Sequence, residues 1–331
     1  MAEAPTRVLL DTNVWSYLSD ESAGLELLSV SRRNGKRIVV APSVVYEALN
    51  ISDPVKRQKV VRLMTTDKWI RLMPEAYSEC EELRAEMQRL RPEWLLSGPD
   101  LVTWRHHKYD WTRARKGFWD RARFDASEMA GHTRYRHLDA ARALARQRRK
   151  DIIGQKADKA LPLGEARMLF SSPTAGWRGD AIEPWRADGM VSTAFHLGDA
   201  GDPYRDWLRP YLTPQSGDAF RDSWGQFWLY EVEASNLPRF WLRWAFEFMQ
   251  MFRKPSDGTP GDSQLASYLG ETDLVVSADG QFIDLVQEAG ASAPGRVAVG
   301  ARIAAGSAGI TELFDLLARP SSAAGTTVRD A

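Results

Sequence analysis

The sequence predicts an α/β protein built on a central parallel sheet and interrupted by a mainly helical insertion. Two observations carry that expectation. Over residues 1–90, and again over 255–320, short apolar runs alternate with stretches of helical spacing, as strands do when helices cover both faces of a sheet. Residues 91–254 break the alternation and hold most of the 13 tryptophans, enough aromatic surface to build a core of their own rather than a linker.

Taken in order, residues 7–10 are an apolar run ending at Asp11, and residues 12–18 follow with helical spacing. Residues 37–41 form a second strand stopped by Pro42, with Ser43 as the N-cap of a helix that carries Glu47 and reaches Leu49. A helix over 54–65, a strand over 69–73 and a charged amphipathic helix over 76–90 complete the first half. In the insertion the periodicity is mostly helical, with Pro and Gly marking a loop-rich stretch over 173–214. The second half reads as a helix opened by Asp262 and running to 269, then a buried strand over 273–277. A helix over 282–289, a strand over 296–300 and a helix over 311–318 follow. Residues 321–331 are small and polar, the composition of a disordered tail.

Composition narrows the function classes. The 331 residues are 44% hydrophobic and 27% charged with a net charge of zero, so the chain folds, and affinity for a polyanion must come from local clustering. Cys80 is the only cysteine, which excludes an internal disulfide and a cysteine-based zinc cluster and suits a reducing compartment. No apolar run has signal-peptide or membrane-spanning form, so a cytoplasmic protein without a membrane partner is expected, and Asn50-Ile51-Ser52 is a chance sequon. His106, His107, His132 and His137 lack metal-ligand spacing, and the glycine-rich 300–309 matches no nucleotide fingerprint.

Parallel sheets gather functional groups at the C-terminal ends of their strands. Asp11 and Asp279 fall just past such ends, Glu47 sits on the helix after the second strand, and Asp262 opens the helix before the fourth. Singly, each has an ordinary reading: a helix N-cap for Asp11 and Asp262, a solvated helix face for Glu47, a turn for Asp279-Gly280. Gathered at one edge, four carboxylates would repel one another and call for a cation, and oxygen donors suit Mg2+ or Mn2+. The chemistry that follows is metal-assisted hydrolysis of a phosphodiester, with water attacking the phosphorus.

Asp11-Thr12-Asn13 after a strand, Glu47 within Val44-Val45-Tyr46-Glu47-Ala48-Leu49, and Asp262 before Val275-Val276-Ser277-Ala278-Asp279-Gly280-Gln281-Phe282 resemble the pattern of PIN-domain nucleases. The resemblance covers residues 7–90 and 256–318 and is interrupted by the insertion. It implies a PIN-like three-layer sandwich in which Asp11, Glu47, Asp262 and Asp279 bind one or two Mg2+ or Mn2+ ions and the enzyme cleaves RNA. It also implies that Asn13 and Ser277 support the metal-binding acids. By position alone, Asp284, within the helix that follows Asp279, is an accessory-ligand candidate. Many members of the family are toxins neutralised by an antitoxin, so a toxin-like RNase with such a partner is one expectation. A homodimer is left open. Two rivals remain: a PIN-like module without turnover that binds RNA or protein, and a nuclease acting on structured DNA.

The insertion adds a locally basic stretch over 105–150 that includes Arg113, Arg115, Lys116, Arg121 and Arg123, candidate phosphate contacts. Trp104, Tyr109, Trp111, Phe118, Trp119 and Tyr135 interleave with those charges and would suit stacking of unpaired bases. The alternative is an amphipathic helical unit whose aromatics are core and whose arginines reach into solvent.

Overall fold

The computed structural model describes residues 4–130, 183–214, 217–253 and 259–320, with isolated positions between 131 and 182. His132, Tyr135, His137, Trp177 and the tail over 321–331 lie outside the described residues. The strands are β1 (Thr6–Leu10), β2 (Lys36–Val40), β3 (Ile70–Arg71), β4 (Leu274–Ser277) and β5 (Val299–Arg302). They form one sheet in the order β3-β2-β1-β4-β5, parallel at every pairing. Val8 lies level with Ile38 on one side and Leu274 on the other, so the two ends of the chain meet at the centre of the sheet. Val8, Leu9, Leu10, Val275 and Val276 are fully buried, which is why these strands are continuous apolar runs rather than alternating ones.

The first half carries α1 (Thr12–Asp20), α2 (Gly24–Arg33), α3 (Pro42–Leu49), α4 (Pro54–Met64) and α5 (Glu75–Leu90). The second carries α13 (Thr259–Ala266), α14 (Gly280–Ser292) and α15 (Ser307–Ala318). Strand order runs outward in opposite directions from β1 and from β4, and right-handed crossovers then place the connecting helices on opposite faces. The arrangement is compatible with three layers. The order reverses between β1 and β4, the position at which open parallel sheets place their functional groups, at the C-terminal ends of the strands.

Local chemistry departs from the sequence reading at four places. Helix α2 was not anticipated, because only Leu27 and Ser31 of it are buried and the apolar stripe is too narrow to register. Ser43 is not the N-cap of α3: Ala41 holds the extended cap position and Pro42 fills the first turn, where a missing N–H costs nothing. Asp262 does not open α13, which starts at Thr259 and places that carboxylate inside the first turn. Strand β5 begins at Val299 rather than at 296, because its ladder starts level with Leu274, the first residue of β4.

Between the halves lie α6 (Val102–Thr112), α7 (Phe118–Phe124), α8 (Ala126–Ala130), α9 (Pro184–Gly198), α10 (Pro203–Leu208), α11 (Asp218–Gln226) and α12 (Pro238–Met251). One continuous cluster of buried residues runs through both regions, the aromatics of the insertion included. Phe118 packs on Tyr46 of α3 at a centroid distance of 5.2 Å, and Phe246 on Phe282 of α14 at 5.8 Å. Within the insertion, a β-carbon at Gly189 would stand 2.4 Å from the Trp228 ring, so only glycine allows that approach.

A buried polar seam joins α5 to α10, α12 and the loop before β4. Arg243 Nε donates to both carboxylate oxygens of Glu79 at 3.1 and 3.0 Å, and the Tyr204 hydroxyl donates to Glu79 at 3.0 Å. Arg239 pairs with Glu82 through Nη1 and its backbone N–H, and with Glu271 through Nε at 3.0 Å. Among the described residues no helix is long and apolar enough to cross a membrane.

Candidate carboxylate site at the sheet edge

Asp11 emerges from β1 in an extended conformation and caps α1. Its Oδ1 accepts the Thr12 N–H at 2.7 Å, and its Oδ2 accepts from Asn13 Nδ2 at 2.7 Å and from the Ser277 hydroxyl at 2.5 Å. Asn13 is a bridge: Nδ2 also reaches Ser277 Oγ at 3.0 Å, while Oδ1 accepts the Ala278 N–H at 3.1 Å. Ser277 Oγ accepts the Asp279 N–H at 2.9 Å. The ends of β1 and β4 are thus tied by side chains, and Asp11 is held in one orientation.

Asp279 caps α14, its Oδ1 accepting the N–H groups of Gln281 at 2.8 Å and Phe282 at 3.3 Å. Glu47 reaches the same edge from α3, where its Oε2 accepts the Thr12 hydroxyl at 2.6 Å. A β-carbon at Gly261 would stand 3.7 Å from Glu47 Oε2, so the start of α13 abuts that carboxylate. Asp262, the next residue, is half-buried and accepts from Gln250 Nε2 of α12 at 3.3 Å.

Electrostatics shows that the four acids share one field. Burial pushes the Asp262 carboxyl well above the ordinary aspartate range, and the charges of Asp11, Glu47 and Asp279 push it further; the Gln250 amide offsets little of this. Asp11 is also raised, by burial first. The Ser277 and Thr12 hydrogen bonds pull the other way, Asp279 adds to the rise, and Asn13 lowers it. As the side chains lie, no three His, Cys, Asp or Glu residues among those described stand close enough to hold one ion in common. Asp11 and Asp279 each commit an oxygen to a helix cap. The donor set nonetheless fits a hard divalent cation: four carboxylates, with the Asp262 carboxyl raised by the charges of the other three and hydrogen-bonded, among the described residues, to the neutral Gln250 amide.

Asp284 stands exposed on α14, one turn beyond Asp279. Of the five basic candidates in the insertion, Arg113 and Arg121 are not free for phosphate, because Asp110 holds them at 2.7 and 2.6 Å. Arg123 lies over the Phe124 ring at 5.5 Å, and Arg115 and Lys116 are exposed. Trp111, Phe118 and Trp119 are buried, so they belong to the core rather than to a base-stacking face, while Tyr109 is 59% exposed.

Two contributors escaped the sequence. Thr12 lay inside the Asp11-Thr12-Asn13 run, and its hydroxyl next to an acid was the available signal. Gln250 comes from the insertion and carried none. No family model matches the chain, and no curated protein or solved structure matches it.

Proposed function

We propose that the chain is a PIN-like nuclease that hydrolyses RNA phosphodiester bonds with Mg2+ or Mn2+ held by Asp11, Glu47, Asp262 and Asp279. The observation that carries this reading is Asp262, a carboxyl raised by burial and by three neighbouring carboxylates, with Gln250 as its hydrogen-bond partner among the described residues. When bound, the divalent ion would neutralise these charges and acidify water for attack on phosphorus. Ser277 and Asn13 fix the Asp11 carboxylate, Thr12 fixes Glu47, and the Asp279 N–H on Ser277 Oγ ties the last acid to the first. A toxin-like role with an antitoxin partner is consistent with this reading.

A scaffold without turnover, binding RNA or protein, is the second reading; the capping bonds of Asp279 favour it. Cleavage of labelled mixed-sequence RNA, beside structured DNA, separates the two. Asp262→Asn is the cleanest variant, because an amide at 262 can still accept from Gln250. Asp11→Asn is less clean, since Oδ2 already accepts from two donors and an NH2 there would face both. Metal-dependent RNA cutting lost in Asp262→Asn supports the nuclease. Intact folding without cutting of either nucleic acid supports the binding scaffold, and preferential cutting of DNA branches moves the substrate to DNA.

A further inference from the structure

We infer that Arg302 grips the substrate's phosphate at the rim of the carboxylate site; this rests on the nuclease reading and names the group that brings a polyanion to an acidic edge. Arg302 is the last residue of β5 and lies level with Ser277 on the adjacent strand, so it stands at the same C-terminal edge as the acids. It is exposed. Arg253, which reaches the Gln281 carbonyl at the start of α14, is committed to Glu288 at 3.2 Å, whereas Arg302 enters no ion pair among the described residues.

Its position is set by Gly280, the residue after Asp279. A β-carbon at 280 would stand 3.0 Å from Arg302 Cζ, 3.1 Å from Nη1 and 3.3 Å from Nε. The guanidinium is therefore seated against the backbone that follows a site carboxylate, in space that any other residue would fill. A planar fork of N–H donors matches phosphate oxygens, and an RNA strand meeting four carboxylates needs a cation of this kind beside them.

Steady-state cleavage of a short RNA in Mg2+ tests the inference with Arg302→Ala, Arg302→Lys and Gly280→Ala. The last keeps the charge but displaces it, and folds because the only crowding is with the end of a flexible side chain. Losing one charge-assisted hydrogen bond should raise KM about tenfold to a hundredfold with kcat little changed. The slope of log KM against log salt should fall by about 0.7, the contribution of one phosphate contact on a single strand. Gly280→Ala should shift KM in the same direction, Arg302→Lys should recover part of the loss, and the melting temperature and Mn2+ affinity should stay at wild-type values. Wild-type KM and salt slope in Arg302→Ala, with the parent enzyme active, would overturn the role of Arg302 alone. Absence of cleavage by the parent would overturn the nuclease reading and this inference together.

Discussion

The seam between α5 and α12 and the edge of the sheet both bury carboxylates, but they balance them differently. At the seam Glu79 and Glu82 each face an arginine. Burial works to lower the pKa of Arg243, yet Glu79 and its other partners hold it well above the usual range, and Arg239 is raised by Glu82 and Glu271 in the same way. Even there burial wins at Glu82, which is pushed up to about 7. At the edge, Asp11 and Asp262 have other carboxylates as neighbours and no arginine among the causes of their shifts. The chain supplies internal arginines at the seam, whereas no arginine contributes to the raised carboxyls of Asp11 and Asp262 at the edge, a difference that suits a structural role for the seam and the proposed cation site at the edge.

The contrast is sharpest in stability. Arg243→Met should destabilise the protein by about 3–5 kcal/mol, because it strands a buried Glu79, whereas Asp262→Asn should raise the melting temperature of the metal-free protein by removing an unbalanced charge. Denaturant melts of both check this, and a stabilising Arg243→Met would erase the distinction between the regions.

Divalent ions should act on the edge alone. At a hundred times the dissociation constant, Mg2+ or Mn2+ should stabilise the wild type by about 2.7 kcal/mol and Asp262→Asn far less. The sign with pH follows from the raised carboxyls. Their native pKa lies above that of the unfolded chain, so the unfolded state releases its protons first and metal-free stability falls as pH rises above the ordinary aspartate range. Added metal should flatten that fall, as seen in melting temperatures measured from pH 4 to 7.

Smaller effects follow from supporting groups. Ser277→Ala removes the hydroxyl that donates to Asp11 and accepts from Asp279, and should weaken metal binding about tenfold to a hundredfold. Gln250→Ala removes one long hydrogen bond to Asp262 and should cost about 1 kcal/mol or less, measurable as a small shift in the denaturation midpoint.

Much of this was legible because strand ends and acids are local signals. The run from Val8 to Asp11 and that from Val275 to Asp279 announce two strands, and the structure buries and pairs them. The acids themselves were identified by residue type and junction, and the fold brings Asp11, Asn13 and Ser277 into direct contact. What stayed hidden depends on long-range packing: Gln250 reaches Asp262 only because α12 folds back on α13, and Arg302 faces the edge only because Gly280 makes room for it. Within the basic stretch the sequence hid one pairing, since Asp110 sits between Arg113 and Arg121 in space although it precedes both in sequence.

Calorimetric titration of Mn2+ into the wild type and Asp262→Asn at pH 7 tests most directly whether the edge is a cation site. Binding by the wild type, weakened at least tenfold in a variant that is folded and no less stable, is the expected result. A wild type that gives no heat and no shift in melting temperature, or a variant that binds equally well, would contradict it.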